Sequence, residues 1–116
     1  MTLKEFYETA GGSYEEAMSR LMDEKRILKY LGKFADTIDY AEMNKAIDEE
    51  RWEEAFRFSH NLKGMALNLS LGRLAQKSSE LCETMRHGKP EVDISDLRVI
   101  VDREYADLMS IIRTVE

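Results

Sequence analysis

The sequence predicts an all-α protein, an antiparallel bundle with short extra helices at its N-terminus. Apolar residues recur at three- and four-residue spacing along most of the chain, one proline interrupts 116 residues, and cap residues stand where periodic segments begin. A composition of 43% hydrophobic residues with six glycines agrees with helix over sheet. The length implies a single domain, residues 1–116, with the short helices over about 2–22 and the bundle over about 23–116. It is enough to bury a core without disulfides or metal.

Each element has a local reason. Thr2-Leu3-Lys4-Glu5 is a capping box, the hydroxyl capping the first turn and the glutamate reaching back, and it starts a helix carrying Leu3, Phe6 and Tyr7. Gly11-Gly12 ends that helix. Ser13-Tyr14-Glu15-Glu16 repeats the box for a helix with Tyr14, Ala17, Met18 and Leu21 inward, and Asp23 caps a third segment. In this segment Ile27, Leu31, Phe34 and Ile38 form one stripe, whereas Tyr40, Met43 and Ile47 fall on a nearly opposite face. The change of phase predicts a kink or break capped by Asp39 with Glu42; the alternative is one long helix buried on two sides.

From about Trp52 to Leu69 a helix turns Ala55, Phe58, Leu62, Met65, Ala66 and Leu69 inward. The next aligns Leu71, Leu74, Ser78, Leu81 and Met85 as core, and Gly88 and Pro90 in His87-Gly88-Lys89-Pro90 stop it. The last helix, capped at Asp93 or Ser95, buries Leu97, Val101, Leu108, Ile112 and Val115. Cys82 is the only cysteine, forms no internal disulfide, and is expected to be a buried thiol on an apolar stripe.

The Trp52–Leu69 segment has a second face. Phe56, His60, Lys63, Gly64 and Leu67 lie opposite its inward stripe, with Arg57 beside them. An arbitrary helical histidine is usually a solvated side chain. Here a lysine one turn on suits an anion held beside the imidazole, and glycine a turn away lets a bulky partner approach at a helix-propensity cost of roughly 1 kcal/mol. Finding Leu, Lys and Gly by chance at these places after either of two histidines has odds on the order of one in a thousand. The anion most naturally held there is phosphoryl. An imidazole with the reference pKa of about 6.5 is largely neutral in cytosol and has a lone pair with which to attack phosphorus. Phe56 is explained either by partner docking or by packing against the N-terminal helices; docking explains Leu67 better.

Phe58-Ser59-His60-Asn61-Leu62-Lys63-Gly64-Met65-Ala66-Leu67-Asn68-Leu69, followed by Leu71, Leu74, Leu81 and Glu83, resembles the histidine-containing phosphotransfer (HPt) domain. That family's pattern is a small residue, His, any residue, Leu-Lys-Gly, then an Ala and an Asn-Leu-Gly. The likeness is most specific over about thirty residues and looser from Asp23 to Val115. Ser70 stands where the family usually has the last Gly, and serine is small and tolerated at a turn. The resemblance implies a four-helix-bundle phosphocarrier exchanging phosphoryl with an aspartate of a response-regulator receiver domain. His60 would be the phosphoacceptor and Lys63 would position the phosphoryl group, with Arg57 as a further offset to its charge. Gly64, Phe56, Arg57 and Leu67 would form the receiver docking surface.

Composition excludes other classes. A net charge of −6 argues against nucleic-acid or anionic-membrane binding, which would want clustered Lys and Arg. No apolar run reaches membrane-spanning length, and Met1-Thr2-Leu3-Lys4-Glu5 has no signal-peptide core, so a soluble, cytoplasmic, monomeric protein is expected. Neither a metal-ligand cluster nor a Gly-rich phosphate loop or ATP motif is present, so no cofactor and no autonomous kinase activity is expected. The resemblance assigns a divalent metal, Mg, to the receiver. His87 lies 27 residues from His60 in a loop pattern, which speaks against a two-histidine metal site, and Asp48-Glu49-Glu50 reads as solvated surface. Two other readings remain open: direct phosphorylation of His60 by a hybrid or separate histidine kinase, and a non-catalytic helical adaptor. The intact His-x-Leu-Lys-Gly speaks against the second.

Overall fold

In the computed structural model, which describes residues 1–115, capping chemistry starts the first three helices where the sequence dictates. Ahead of α1 (Leu3–Ala10), Thr2 Oγ1 accepts the Glu5 N–H at 3.1 Å while Glu5 Oε1 accepts the Thr2 N–H at 3.0 Å, a complete box. Ahead of α2 (Tyr14–Leu21), Ser13 Oγ accepts the Glu16 N–H at 3.1 Å, but the Ser13 N–H is taken by the Ser70 carbonyl at 3.0 Å. Only half of the second box therefore forms. Asp23 caps α3 (Glu24–Ala35) through the Arg26 N–H at 2.7 Å.

The phase change is a break. α3 stops at Ala35 and α4 (Asp39–Asp48) begins after a gap of three residues, so Ile38 lies in the gap, 66% exposed, rather than on the α3 stripe. Its spacing from Phe34 had been counted across a discontinuity. Asp39 is likewise the first helical residue and not the cap. The Thr37 hydroxyl accepts the Asp39 N–H at 3.3 Å and donates to the Asp39 carboxylate at 2.8 Å.

α5 (Trp52–Asn68) is the element round which the bundle closes, packing most extensively on α4 and on α6 (Gly72–Thr84), which in turn packs on α7 (Ser95–Ile111). Ala55, Ser59, Leu62 and Ala66 have no exposed surface; three of these four are small, which lets the neighbouring helices approach closely. Ser59 satisfies its hydroxyl on the Phe56 carbonyl at 2.8 Å. Leu69 is buried as expected, while Phe58 and Met65 lie half-buried at the edge of the stripe. Every expected core position of α6 is buried, and so is Cys82. Val101, Leu108 and Ile112 are buried, the last in a short 3-10 turn (Ile112–Thr114), with Leu97 and Val115 half-buried. Neither candidate cap for α7 stands at the N-cap position, which is Ile94; Asp93, one residue before it, accepts the Ser95 N–H at 2.9 Å and hydroxyl at 2.6 Å and so satisfies the first helical amide. Seven α-helices and no strand occur among the described residues.

The C-terminus of α5 is fixed by a Schellman motif. The Leu71 N–H donates to the Ala66 carbonyl at 2.9 Å and the Ser70 N–H to the Leu67 carbonyl at 3.1 Å, with Ser70 between them at φ +56°. This is the place where glycine usually stands. An L residue pays roughly 1–2 kcal/mol for that conformation, and here the first two helices hold it. The Tyr7 hydroxyl donates to the Leu69 carbonyl at 2.6 Å, and the Gly11 carbonyl accepts the Arg73 N–H at 3.1 Å. The Arg20 guanidinium bonds the Leu67 carbonyl, the Asn68 carbonyl at 3.1 Å and the Ser70 hydroxyl at 3.2 Å. Gly12 lies so close that a Cβ would stand 2.5 Å from the Ser70 carbonyl oxygen. The α1–α2 hairpin is thus clamped onto the turn that ends α5.

Ser70→Gly is expected to raise stability by about 0.5–1 kcal/mol, because relief of the left-handed strain outweighs one of three Arg20 contacts and the added chain entropy of glycine. Ser70→Val should lower stability by more than about 1 kcal/mol. Urea unfolding checks both; a glycine variant less stable than wild type would show that the hydroxyl contact outweighs the strain.

Candidate functional site

With Ala55, Ser59, Leu62 and Ala66 sealed inside, the opposite face of α5 has to meet solvent. His60 lies on it, exposed, halfway along the helix. Arg57, Gly64 and Leu67 are exposed and Phe56 and Lys63 half-buried, so all six residues singled out from the sequence share one continuous surface. The imidazole and the Phe56 ring lie one turn apart with centroids 5.9 Å from each other, tilted by 43°. A Cβ at Gly64 would meet nothing within 4 Å. Nothing in the fold asks for glycine there. Leu67 is 52% exposed, and its carbonyl is held by Arg20.

Phe56 packs at the edge of the core. It is covered by Arg86, which follows the end of α6 and sets its guanidinium 5.2 Å from the ring centroid. Arg86 is itself tethered to Glu83 through Nε at 3.1 Å and Nη2 at 2.5 Å. This bond holds the Glu83 carboxyl below the usual carboxylate range, with weaker attraction from Lys63 and His87, and pushes the Arg86 guanidinium up. Lys63 and Glu83 therefore lie within one another's field across the α5–α6 seam.

An open groove runs beside the imidazole, lined by Glu53, Phe56, Arg57, His60, Asn61 and Arg86. On its α4 side the Asn61 amide reaches Asp39 Oδ1 at 3.5 Å, and the Arg57 guanidinium leans over the Phe58 ring at 5.2 Å. The result is a solvent-reachable nitrogen nucleophile among Arg57, Lys63 and Arg86, an arrangement that can hold an anion beside the imidazole. His87 contributes only its field to Glu83. Among the described residues, no three His, Cys, Asp or Glu side chains group so as to hold a metal ion.

Arg86 is the residue that sequence reasoning missed. It lies 26 positions beyond His60, outside the reach of helical periodicity. A signal did exist: α5 and α6 form an antiparallel hairpin about Ser70, which sets positions some fifteen residues either side of the turn opposite one another, and Phe56 and Arg86 are such a pair.

Comparison with curated proteins and with solved structures gives no match. A family model does match: that of the Hpt domain, over residues 30–113. The match starts midway through α3, runs to the 3-10 turn, and takes in His60, Lys63, Gly64 and Arg86, while α1 and α2 fall outside it. Covering most of the sequence and the whole of the His60 surface, it shows that the chain belongs to the Hpt domain family, a phosphotransfer module of two-component signalling.

Proposed function

We propose that this protein is a histidine phosphocarrier of a phosphorelay, in which His60 accepts a phosphoryl group from the aspartate of one receiver domain and donates it to that of another. The observation that supports this best is the pairing of an exposed His60 with a Gly64 that the fold does not need, in a surface flanked by Arg57, Lys63 and Arg86. A partner backbone coming down over that turn gives the glycine a reason.

An imidazole nitrogen of His60 attacks the phosphorus of the aspartyl phosphate, an N–P bond forms as the P–O bond to the aspartate breaks, and the carboxylate leaves with the electron pair. The reverse sequence delivers the group to the next receiver. Lys63 offsets charge on the phosphoryl oxygens and orients them, with Arg57 and Arg86 near enough to share that task. A divalent metal, Mg in this reading, belongs to the receiver. The carrier works as a cytoplasmic monomer in this reading; no helix among the described residues is long and apolar enough to cross a membrane. The experiment is incubation with receiver domains preloaded from acetyl phosphate, followed by detection of acid-labile, base-stable phosphate on this chain.

His60→Gln is expected to abolish phosphoryl acceptance and to change stability by no more than about 0.5 kcal/mol, since the side chain leaves the core untouched. Labelling that survives the substitution would sink the assignment, and a collapse in melting temperature would point to a structural histidine instead. Lys63→Ala should slow transfer more than it weakens docking of the unphosphorylated receiver, because its charge is needed chiefly while phosphoryl is present; the contact is worth on the order of 1 kcal/mol. Equal losses in transfer rate and affinity would make Lys63 a docking residue only. Gly64→Ala should gain up to about 1 kcal/mol in helix stability yet transfer more slowly, and Gly64→Gln more slowly still, with unaltered circular dichroism. Wild-type transfer by Gly64→Gln would mean that the partner does not approach over this turn.

A further inference from the structure

α3 bears a surface that neither the core nor the His60 site explains. Lys25, Arg26, Lys29 and Lys33 are all exposed, and their spacing gathers them on one side of the helix. In a chain of net charge −6 this runs against the trend. Arg51, Arg73, Arg86 and Arg98 are each held by a carboxylate, whereas none of the four cations on α3 forms an ion pair among the described residues. Glu24, the one acid within α3, is occupied by the Tyr14 hydroxyl. Like charges one turn apart repel, so this face weakens its own helix. Gly32 in the same helix adds to that cost, and a Cβ there would meet nothing within 4 Å.

The cationic face meets α5 at one edge, through Lys33. Tyr30, Lys33 and Phe34 of α3 line a groove with Met65 and Asn68 of α5 and with Leu69, and the Lys33 ammonium lies 5.4 Å from the centroid of Tyr30. Asn68 is eight residues beyond His60, roughly 12 Å along the helix axis. An interface of ordinary size covers about 800 Å² of each partner, a patch roughly 30 Å across. A partner covering His60 thus reaches Asn68 and, across the groove, Lys33, from which Lys29 and Lys25 follow one and two turns along α3.

We infer that Lys25, Arg26, Lys29 and Lys33, with the groove between α3 and α5, form an electrostatic docking surface for an acidic face of the receiver domain that meets His60. The inference rests on the phosphorelay reading and adds to it what selects the receiver. Charge complementarity names the occupant: a receiver with acidic residues beside its phosphoacceptor carboxylate is drawn to this cationic face of an acidic carrier, which extends the cations around His60, and is oriented as it arrives. A nucleic acid or an anionic bilayer is a far larger polyanion and meets the repulsion of the whole chain.

The test compares two triple variants of equal net charge. Arg26→Glu with Lys29→Glu and Lys33→Glu reverses the part of the α3 face that leads from the groove; Lys4→Glu with Lys45→Glu and Arg103→Glu makes the same change at scattered exposed sites. With a phosphorylated receiver, the α3 variant is expected to raise KM at least about 10-fold at low salt, to flatten the salt dependence of kcat/KM, and to leave kcat within about twofold. The scattered variant should change KM far less. Glutamine at the three α3 positions, set against glutamine at the three scattered ones, supplies the same comparison if circular dichroism shows the reversed variant unfolded. Equal effects of the two triples would reduce the face to net charge and overturn the inference. So would binding to vesicles containing anionic lipid that the α3 variant loses while its KM for the receiver stays unchanged. A wild-type chain that takes phosphoryl from no receiver would overturn the phosphorelay function itself, an outcome distinct from wild-type transfer with an unaffected α3 variant.

Discussion

The structure depends on the burial of one narrow side of α5. Ala55, Ser59, Leu62 and Ala66 are sealed between α4 and α6, and on a helix that decision fixes everything else round the circumference. Rotating α5 by one residue would pull Leu62 out of the core and drive the His60 or Lys63 side of the helix into it, exposing apolar area worth about 1.5–3 kcal/mol per large side chain and burying a cation without a partner. The imidazole is presented to solvent because the core permits no other angle. No hydrogen bond from His60 to a neighbour is needed to aim it.

Rotation alone leaves α5 free to slide, and the turn at Ser70 removes that freedom. Tyr7, Ser13 and Arg20 from the first two helices all bond backbone or side-chain groups of residues 67–70, and Gly12 is pressed against the same carbonyl that Ser13 uses. The family match begins only in α3, so the α1–α2 hairpin lies outside the matched segment, and its contacts go to the end of the helix that carries the histidine. A serine at φ +56° survives there because the surroundings over-determine it.

What the sequence told and what it withheld follow from the range of the forces involved. Helix starts were legible because a cap acts on an amide three residues on: Thr2, Ser13 and Asp23 each bond the amide at that distance. The helix end at Glu50 was not, because it closes in a left-handed conformation at φ +56° with a residue that gives no glycine signal; the ends at Gly11 and, to within a residue, at Leu69 ahead of Ser70 were read correctly. Ile38 was misassigned because a periodicity count is blind to a break. The surface of Phe56, Arg57, His60, Lys63, Gly64 and Leu67 was readable because it is a single helix face. Arg86 was not, since what brings it to Phe56 is the register of two helices, and register is set by packing.

The tether between Arg86 and Glu83 bears on what a relay asks of such a site. A carrier that passes a group on has to hold it weakly, since every kcal/mol of extra affinity in the loaded state is added to the barrier for release. Freed of that carboxylate, the Arg86 guanidinium would grip a phosphoryl group with two parallel charge-assisted hydrogen bonds. Here that guanidinium is shared between the Phe56 face and the Glu83 carboxylate, so a phosphoryl oxygen would have to compete with a partner already in place. Exposed pairs of this kind are weak, which makes the exchange nearly neutral in either direction. Lys63, drawn only by the more distant field of Glu83, is left as the cation with least to give up when the phosphoryl group arrives.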